Sequence, residues 1–177
     1  MASSIARMTP AEPRMREKGP PFPNNESHRP VIGIDTSFLV AWAIPEHPEH
    51  TACRRLADES MRQGRVLGLT PGILAEFIHV VTDPRRFAKP LEMTQATSIA
   101  RFWADAAEVT ILHQNQEVAD LWSDWLQRHR LGRKRLLDTL IAATWHHAGI
   151  NEVFTLNPDD FAIFAFFTFR PQSTARP

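Results

Sequence analysis

Val31-Ile32-Gly33-Ile34-Asp35-Thr36-Ser37 decides the reading of this chain. A short apolar run rich in β-branched residues and stopped by turn-formers reads as a buried strand. Asp35 then stands directly after the strand, at the carboxyl end, which is where open α/β sheets place their ligand crevice. Three more runs of this kind follow, Val66 to Leu69, Val109 to Leu112 and Val153 to Thr155, with Phe164 to Phe169 as a fifth candidate. Helical stretches lie between them: His50 to Arg62, Gly72 to Val81, Thr94 to Ala106, Asn115 to His129 and Leu136 to Ala148. Strands alternating with helices predict an α/β fold with a mostly parallel central sheet and helices on both faces.

Acidic residues recur where such a sheet would gather them. Glu76 falls in the first turns of the helix opened by Pro71-Gly72, whose apolar stripe is Ile73, Leu74, Phe77, Ile78 and Val81. Asp138 is similarly early in its helix, with Leu137, Leu140, Ile141 and Thr144 expected to pack inward and the small Ala142-Ala143 pair allowing close approach to the sheet. Thr155-Leu156-Asn157-Pro158-Asp159-Asp160-Phe161 follows the fourth strand; Pro158 makes a turn there, and burial of Phe161 fixes the loop. Any one of these acids is as well explained as a helix cap or a solvated charge. As a set with no cationic partner between them they imply a divalent cation, because two carboxylates about 4 Å apart repel by ~4 kcal/mol at an effective dielectric near 20. Oxygen-only ligands favour Mg²⁺ or Mn²⁺ over zinc.

Composition narrows the class. The 177 residues suit one domain, and 20 Lys plus Arg against 20 Asp plus Glu exclude a protein that coats nucleic acid by bulk attraction. A single cysteine, Cys53, rules out an internal disulfide framework, suits a cytoplasmic location and reads as a structural thiol. No apolar stretch approaches the roughly 20 residues needed to cross a bilayer, so no membrane role is expected. Residues 1–30 carry six prolines and few large apolar groups and are expected to form a flexible tail, with Met8 and Met15 as alternative starts. A domain over 31–171 and a short tail over 172–177 complete the expected organisation.

Other constellations weigh less. His47 with His50, or His146 with His147, lacks a second spaced pair of ligands and makes a poor zinc site. Asp35-Thr36-Ser37 resembles the aspartyl nucleophile motif of haloacid-dehalogenase-type phosphatases but has Ser37 where that pattern needs a second Asp. Trp122 and Trp125 share a helix with Leu121 and Leu126, which favours core or dimer packing over base stacking. The basic stretch from Arg128 to Arg135 precedes Asp138, so Arg133, Lys134 and Arg135 are candidates for neutralising RNA phosphates or meeting an acidic protein segment; Arg85, Arg86 and Lys89 form a second such group.

Four elements in this order resemble the PIN-domain ribonucleases, and among them the VapC-type toxins of toxin-antitoxin pairs: Ile34-Asp35-Thr36-Ser37, Glu76, Leu137-Asp138-Thr139-Leu140-Ile141-Ala142-Ala143, and Thr155 to Phe161. The resemblance spans Val31 to Pro171. It implies a three-layer α/β/α PIN-like domain and a Mg²⁺- or Mn²⁺-dependent endoribonuclease that hydrolyses RNA with metal-activated water. It also implies a homodimer and a cognate antitoxin partner. Asp35, Glu76 and Asp138 match the family's acidic positions, and Asp160 takes the fourth, with Asp159 and Asn157 as its rivals. Thr36, Ser37, Thr155 and Asn157 would support these acids by hydrogen bonding. The reading from another class is a catalytically silent PIN-like module that binds protein or RNA.

Overall fold

The computed structural model describes residues 30–170. The expected tails, residues 1–30 and 172–177, lie outside the described residues except for the exposed Pro30. Five runs of β-formers become five strands, β1 (Val31–Ile34), β2 (Val66–Leu69), β3 (Val109–Ile111), β4 (Glu152–Phe154) and β5 (Thr168–Arg170). They form one sheet in the order β3-β2-β1-β4-β5, and every pair is parallel. Six helices connect them: α1 (Thr36–Ala43), α2 (His50–Arg62), α3 (Pro71–Val81), α4 (Met93–Asp105), α5 (Gln116–Arg128) and α6 (Leu136–His147).

The strand order explains the three layers. The chain advances β1 to β2 to β3 through α1 to α4, then returns past β1 to β4 through α5 and α6. Crossovers between parallel strands are right-handed, so the two directions of travel put these helices on opposite faces. Their contacts agree: α1 packs on α2 and α3, α3 on α4, and α5 on α6. The order reverses between β1 and β4, and a crevice opens at the carboxyl ends of strands flanking such a switch point.

Local chemistry accounts for the helix ends. Thr70 Oγ1 accepts from Ile73 N at 3.1 Å with Pro71 in the first helical position, and Asn115 Oδ1 accepts from Val118 N at 3.0 Å to cap α5. Beyond α6, Gly149 adopts φ +71°, a conformation glycine takes without the Cβ penalty.

Three local expectations are corrected. Helix α1 goes unannounced by periodicity because Thr-Ser-Phe-Leu-Val-Ala-Trp-Ala is apolar nearly all round; Phe38, Leu39, Val40, Ala41 and Trp42 are all buried, so there is no polar face to reveal a period. The fifth strand is Thr168–Arg170 rather than Phe164 to Phe169, because Ala162–Phe164 winds into a 3₁₀ turn that buries Phe164 against Trp125 with ring centroids 4.6 Å apart. Leu137 does not pack inward: it is 64 % exposed, and Thr139, Ile141, Ala142 and Trp145 form the buried side of α6 instead. Trp125 lies in the core as expected, and Cys53 is a buried thiol pushed up to about 12 by burial, hence inert.

Gly33 and Gly68 are paired in register, so both face the same side of the sheet. A Cβ on Gly33 would lie 2.8 Å from Trp145 Nε1, and one on Gly68 about 3.0 Å from a methyl of Val31. Trp145 of α6 therefore packs directly on the backbone at Gly33, and Ala142 and Ala143 of the same helix are fully buried. Replacing Gly33 by Ala should destabilise the fold by ~1–3 kcal/mol through overpacking, read as a lower urea midpoint with unchanged slope. A wild-type midpoint would mean that Trp145 has room to move.

Candidate active site

Asp35 is the N-cap of α1 and only 8 % exposed. Three donors converge on its Oδ2: Ser37 Oγ at 2.6 Å, Thr155 Oγ1 at 2.8 Å and Ser37 N at 3.3 Å. The Ser37 hydroxyl oxygen also accepts from Leu156 N at 2.9 Å, and the Thr155 hydroxyl oxygen accepts from Asn157 N at 3.0 Å. Backbone from the β4 loop thus fixes the two hydroxyls that fix Asp35. Thr36, the other supporting hydroxyl, donates to Glu76 Oε2 at 2.7 Å and ties α1 to α3. Asn157 supports the site through its backbone.

Asp35, Thr36, Ser37, Glu76, Leu156 and Asn157 line one cleft of about 490 Å³ together with Asp138 and Asp160, with Thr155 buried behind them. Asp159 is exposed and does not line it, whereas Asp160 does, beside the buried Phe161. The acids sense one another. Asp138 is pushed up to about 6, first by burial and then by the negative charge of Asp160, with smaller contributions from Asp35 and Glu76 against the opposing pull of Arg135. Asp35, Glu76 and Asp160 each accept a hydrogen bond from a side chain, whereas Asp138 accepts none among the described residues; its nearest cation, Arg135 Nη1, is 3.9 Å away.

The expectation that no cation sits among the acids is corrected here. Arg135 Nη1 lies 2.7 Å from Asp160 Oδ1 as well as 3.9 Å from Asp138 Oδ2, so it pairs with two of the cleft's acids from its edge, while Arg133 and Lys134 are exposed. The second basic group is also partly spoken for. Arg85 grips Asp83 through Nε and Nη2, both at 3.0 Å, and holds that carboxyl down to about 2, with Arg86 3.8 Å from the same acid. Arg86 nonetheless lines the cleft, along with His47, Val40, Val80 and Phe87, a wall that the sequence reading did not identify. No motif marks it, because these residues come from α1, α3 and two loops. Of the two histidines near this wall, His50 Nδ1 bonds Ala41 O at 2.9 Å, and among the described residues no three potential ligands are placed to hold a metal.

The same observation bears on Mg²⁺ or Mn²⁺. Asp35, Glu76, Asp138 and Asp160 offer the hard, oxygen-only donor set that such ions favour, and Asp138 is raised by burial first and by the charge of Asp160 second. They fit the ion in chemistry, although they are not drawn into a ready-made ligand cluster.

Residues 32–166 match the family model described as PIN domain. The chain belongs to the PIN-domain family. It closely resembles the VapC-type members: ribonuclease VapC24 of Mycobacterium tuberculosis is 25 % identical over 136 residues, which cover 77 % of this chain and 92 % of that protein. Among solved structures, the M. tuberculosis VapC20 toxin, which cleaves the sarcin-ricin loop, superposes with a TM-score of 0.59 at 21 % identity over 77 % of this chain and 96 % of that one. VapBC2 of Rickettsia felis, bound to a promoter DNA fragment, gives 0.57 at 16 % identity over 79 % and 97 %. The PIN family and the α/β/α fold therefore stand as expected from the motifs. No helix among the described residues is long and apolar enough to cross a membrane.

The raised Asp138 has a consequence for stability. Its folded value of about 6 exceeds the ordinary 3.8, so the folded state holds its proton more tightly, and the contribution of Asp138 to stability is fully present below pH 4 and lost as pH rises through 6. Partial exposure reduces the full effect of the shift to ~1 kcal/mol. In metal-free buffer Asp138→Asn should melt higher than wild type at pH 8 and level with it at pH 4. Equal melting temperatures at pH 8 would show that ionised Asp138 carries no penalty.

Proposed function

We propose that this PIN-domain protein is a divalent-metal-dependent endoribonuclease and the toxin of a toxin-antitoxin pair. The observation that carries the reading is the gathering of Asp35, Glu76, Asp138 and Asp160 in one cleft at the switch point of the sheet. The ribonuclease name of the 25 %-identical VapC24 and the toxin and toxin-antitoxin structures with this fold support it.

Asp35, Glu76, Asp138 and Asp160 would hold Mg²⁺ or Mn²⁺. Such an ion supplies Lewis acidity toward a phosphate oxygen and lowers the pKa of a bound water. The chain's own contribution is positioning. Ser37 and Thr155 occupy Oδ2 of Asp35 and leave Oδ1 to the cleft, while Thr36 occupies Oε2 of Glu76 and leaves Oε1. Asp35 and Glu76 are thus each held through one oxygen, which sets their orientation before any ion binds, whereas Asp138 accepts no hydrogen bond among the described residues. Nothing in the cleft supplies a cysteine nucleophile, since Cys53 is buried elsewhere. The antitoxin and a second copy of the chain are the proposed protein partners.

Among the described residues no ready-made ligand cluster is found, which favours a second reading, a silent module that binds RNA or protein without cleaving. Incubating single-stranded RNA with the protein and Mg²⁺ or Mn²⁺ separates the two. Cleavage leaving 5′-phosphate ends is expected, and Asp35→Asn or Asp138→Asn should lower it by at least ~10²-fold without unfolding the domain. Intact RNA with wild type, or wild-type rates in a folded Asp35→Asn, would sink the nuclease reading. Asp160→Ala should cost far more activity than Asp159→Ala, because only Asp160 lines the cleft. Equal activity of the two would reduce this loop to a turn.

A further inference from the structure

Arg135 sits where local physics does not want it. It is the N-cap of α6 and makes no capping bond with its side chain, although that position favours Ser, Thr, Asp or Asn. Its positive charge also meets the positive end of the helix dipole. A residue that violates a local rule is retained for what it meets in space. What Arg135 meets is the acidic cleft, with Nη1 2.7 Å from Asp160 Oδ1 and 3.9 Å from Asp138 Oδ2.

The backbone of Arg135 is fixed on its own account. Its N donates to Gly132 O at 2.9 Å, and its O accepts from Thr139 Oγ1 at 2.6 Å. None of these bonds uses the guanidinium. The side chain is a quarter exposed and adjoins the cleft's solvent-facing acids, so it can change partner while α6 stays in place.

We propose that Arg135 is an internal counter-cation of the acidic site that gives way to a divalent ion and then binds the phosphate of the RNA substrate. This rests on the nuclease reading above. A guanidinium and a divalent cation compete for the negative potential of Asp138 and Asp160, so the arginine stabilises the empty site and weakens metal binding. Once a cation of higher charge neutralises those carboxylates, the guanidinium loses its attraction there. Its planar donors match a phosphate in the same cleft. One side chain thereby lowers the cost of gathering the acids without metal and adds a phosphate ligand when metal is present.

The two roles have opposite signs, and a merely structural arginine has neither. The test measures Mn²⁺ affinity of the full chain from the free-Mn²⁺ paramagnetic resonance signal, beside kcat/KM on single-stranded RNA at saturating Mn²⁺. Arg135→Gln keeps the side chain's reach and removes its charge. It should bind Mn²⁺ about fivefold more tightly and yet show kcat/KM about tenfold lower. Arg135→Lys keeps the charge and loses the fork, so it should bind Mn²⁺ like wild type while kcat/KM falls. Unchanged or weaker Mn²⁺ binding by a folded Arg135→Gln overturns the counter-cation, and tighter Mn²⁺ binding with undiminished kcat/KM overturns the phosphate role. Wild type that neither binds Mn²⁺ nor cleaves RNA fails the nuclease reading itself, and this inference with it.

Discussion

The contact on which the site depends is between Trp145 of α6 and the sheet backbone at Gly33. Trp145 of α6 occupies the space a Cβ on Gly33 would need, and the same helix carries Asp138 two turns earlier. Gly33 in turn lies two residues before Asp35. The distance between these two acids is therefore set by how closely a tryptophan packs on a glycine, since a rigid helix transmits the position of one end to the other. Packing chosen deep in the core becomes electrostatics at the surface. The arrangement has a cost, because Trp145 Nε1 is buried without a hydrogen-bond partner among the described residues.

The second constraint is hydrogen bonding around Asp35. A buried carboxylate is tolerated when donors surround it, and two hydroxyls and a backbone amide do so here. Those hydroxyls come from α1 and from the end of β4, elements 118 residues apart in sequence that the parallel β1-β4 pairing makes neighbours. The backbone bond from Asp35 N to Phe154 O at 2.9 Å continues that pairing into the site. Sheet register and acid geometry are in this respect one structure.

Much of this was legible in the sequence because strands and helices follow local rules. Val31 to Ile34 and Val66 to Leu69 appear as read, and Asp35, Glu76, Asp138 and Asp160 come to one cleft because a parallel sheet gathers its strand ends. Failures occur where tertiary context overrides pattern. Helix α1 has no polar face and so no period, Leu137 is apolar yet exposed, and the aromatic run near Phe164 turns to stack on Trp125 instead of extending. Arg135 was legible only as one member of the candidate group Arg133, Lys134 and Arg135. Among eight residues of which five are Arg or Lys, nothing in the one-dimensional pattern distinguishes the cation three places before Asp138 from solvated neighbours. Only the turn Arg133–Arg135, which points one of the three basic side chains back at Asp160, makes the distinction.

Asp138 shows how the cleft distributes its charge. The other three acids are each provided with a donor: hydroxyls for Asp35 and Glu76, a guanidinium for Asp160. Asp138 has only the distant edge of that same guanidinium, and it is the carboxyl whose proton is held to about 6. Burial comes first among the causes of that rise, and the charge of Asp160 second. A proton, the arginine and a divalent ion all relieve the negative charge of this pair, so they compete. Near neutral pH the proton is mostly lost and the arginine is committed at close range to Asp160, which leaves Asp138 as the carboxylate with the most to gain from an incoming cation.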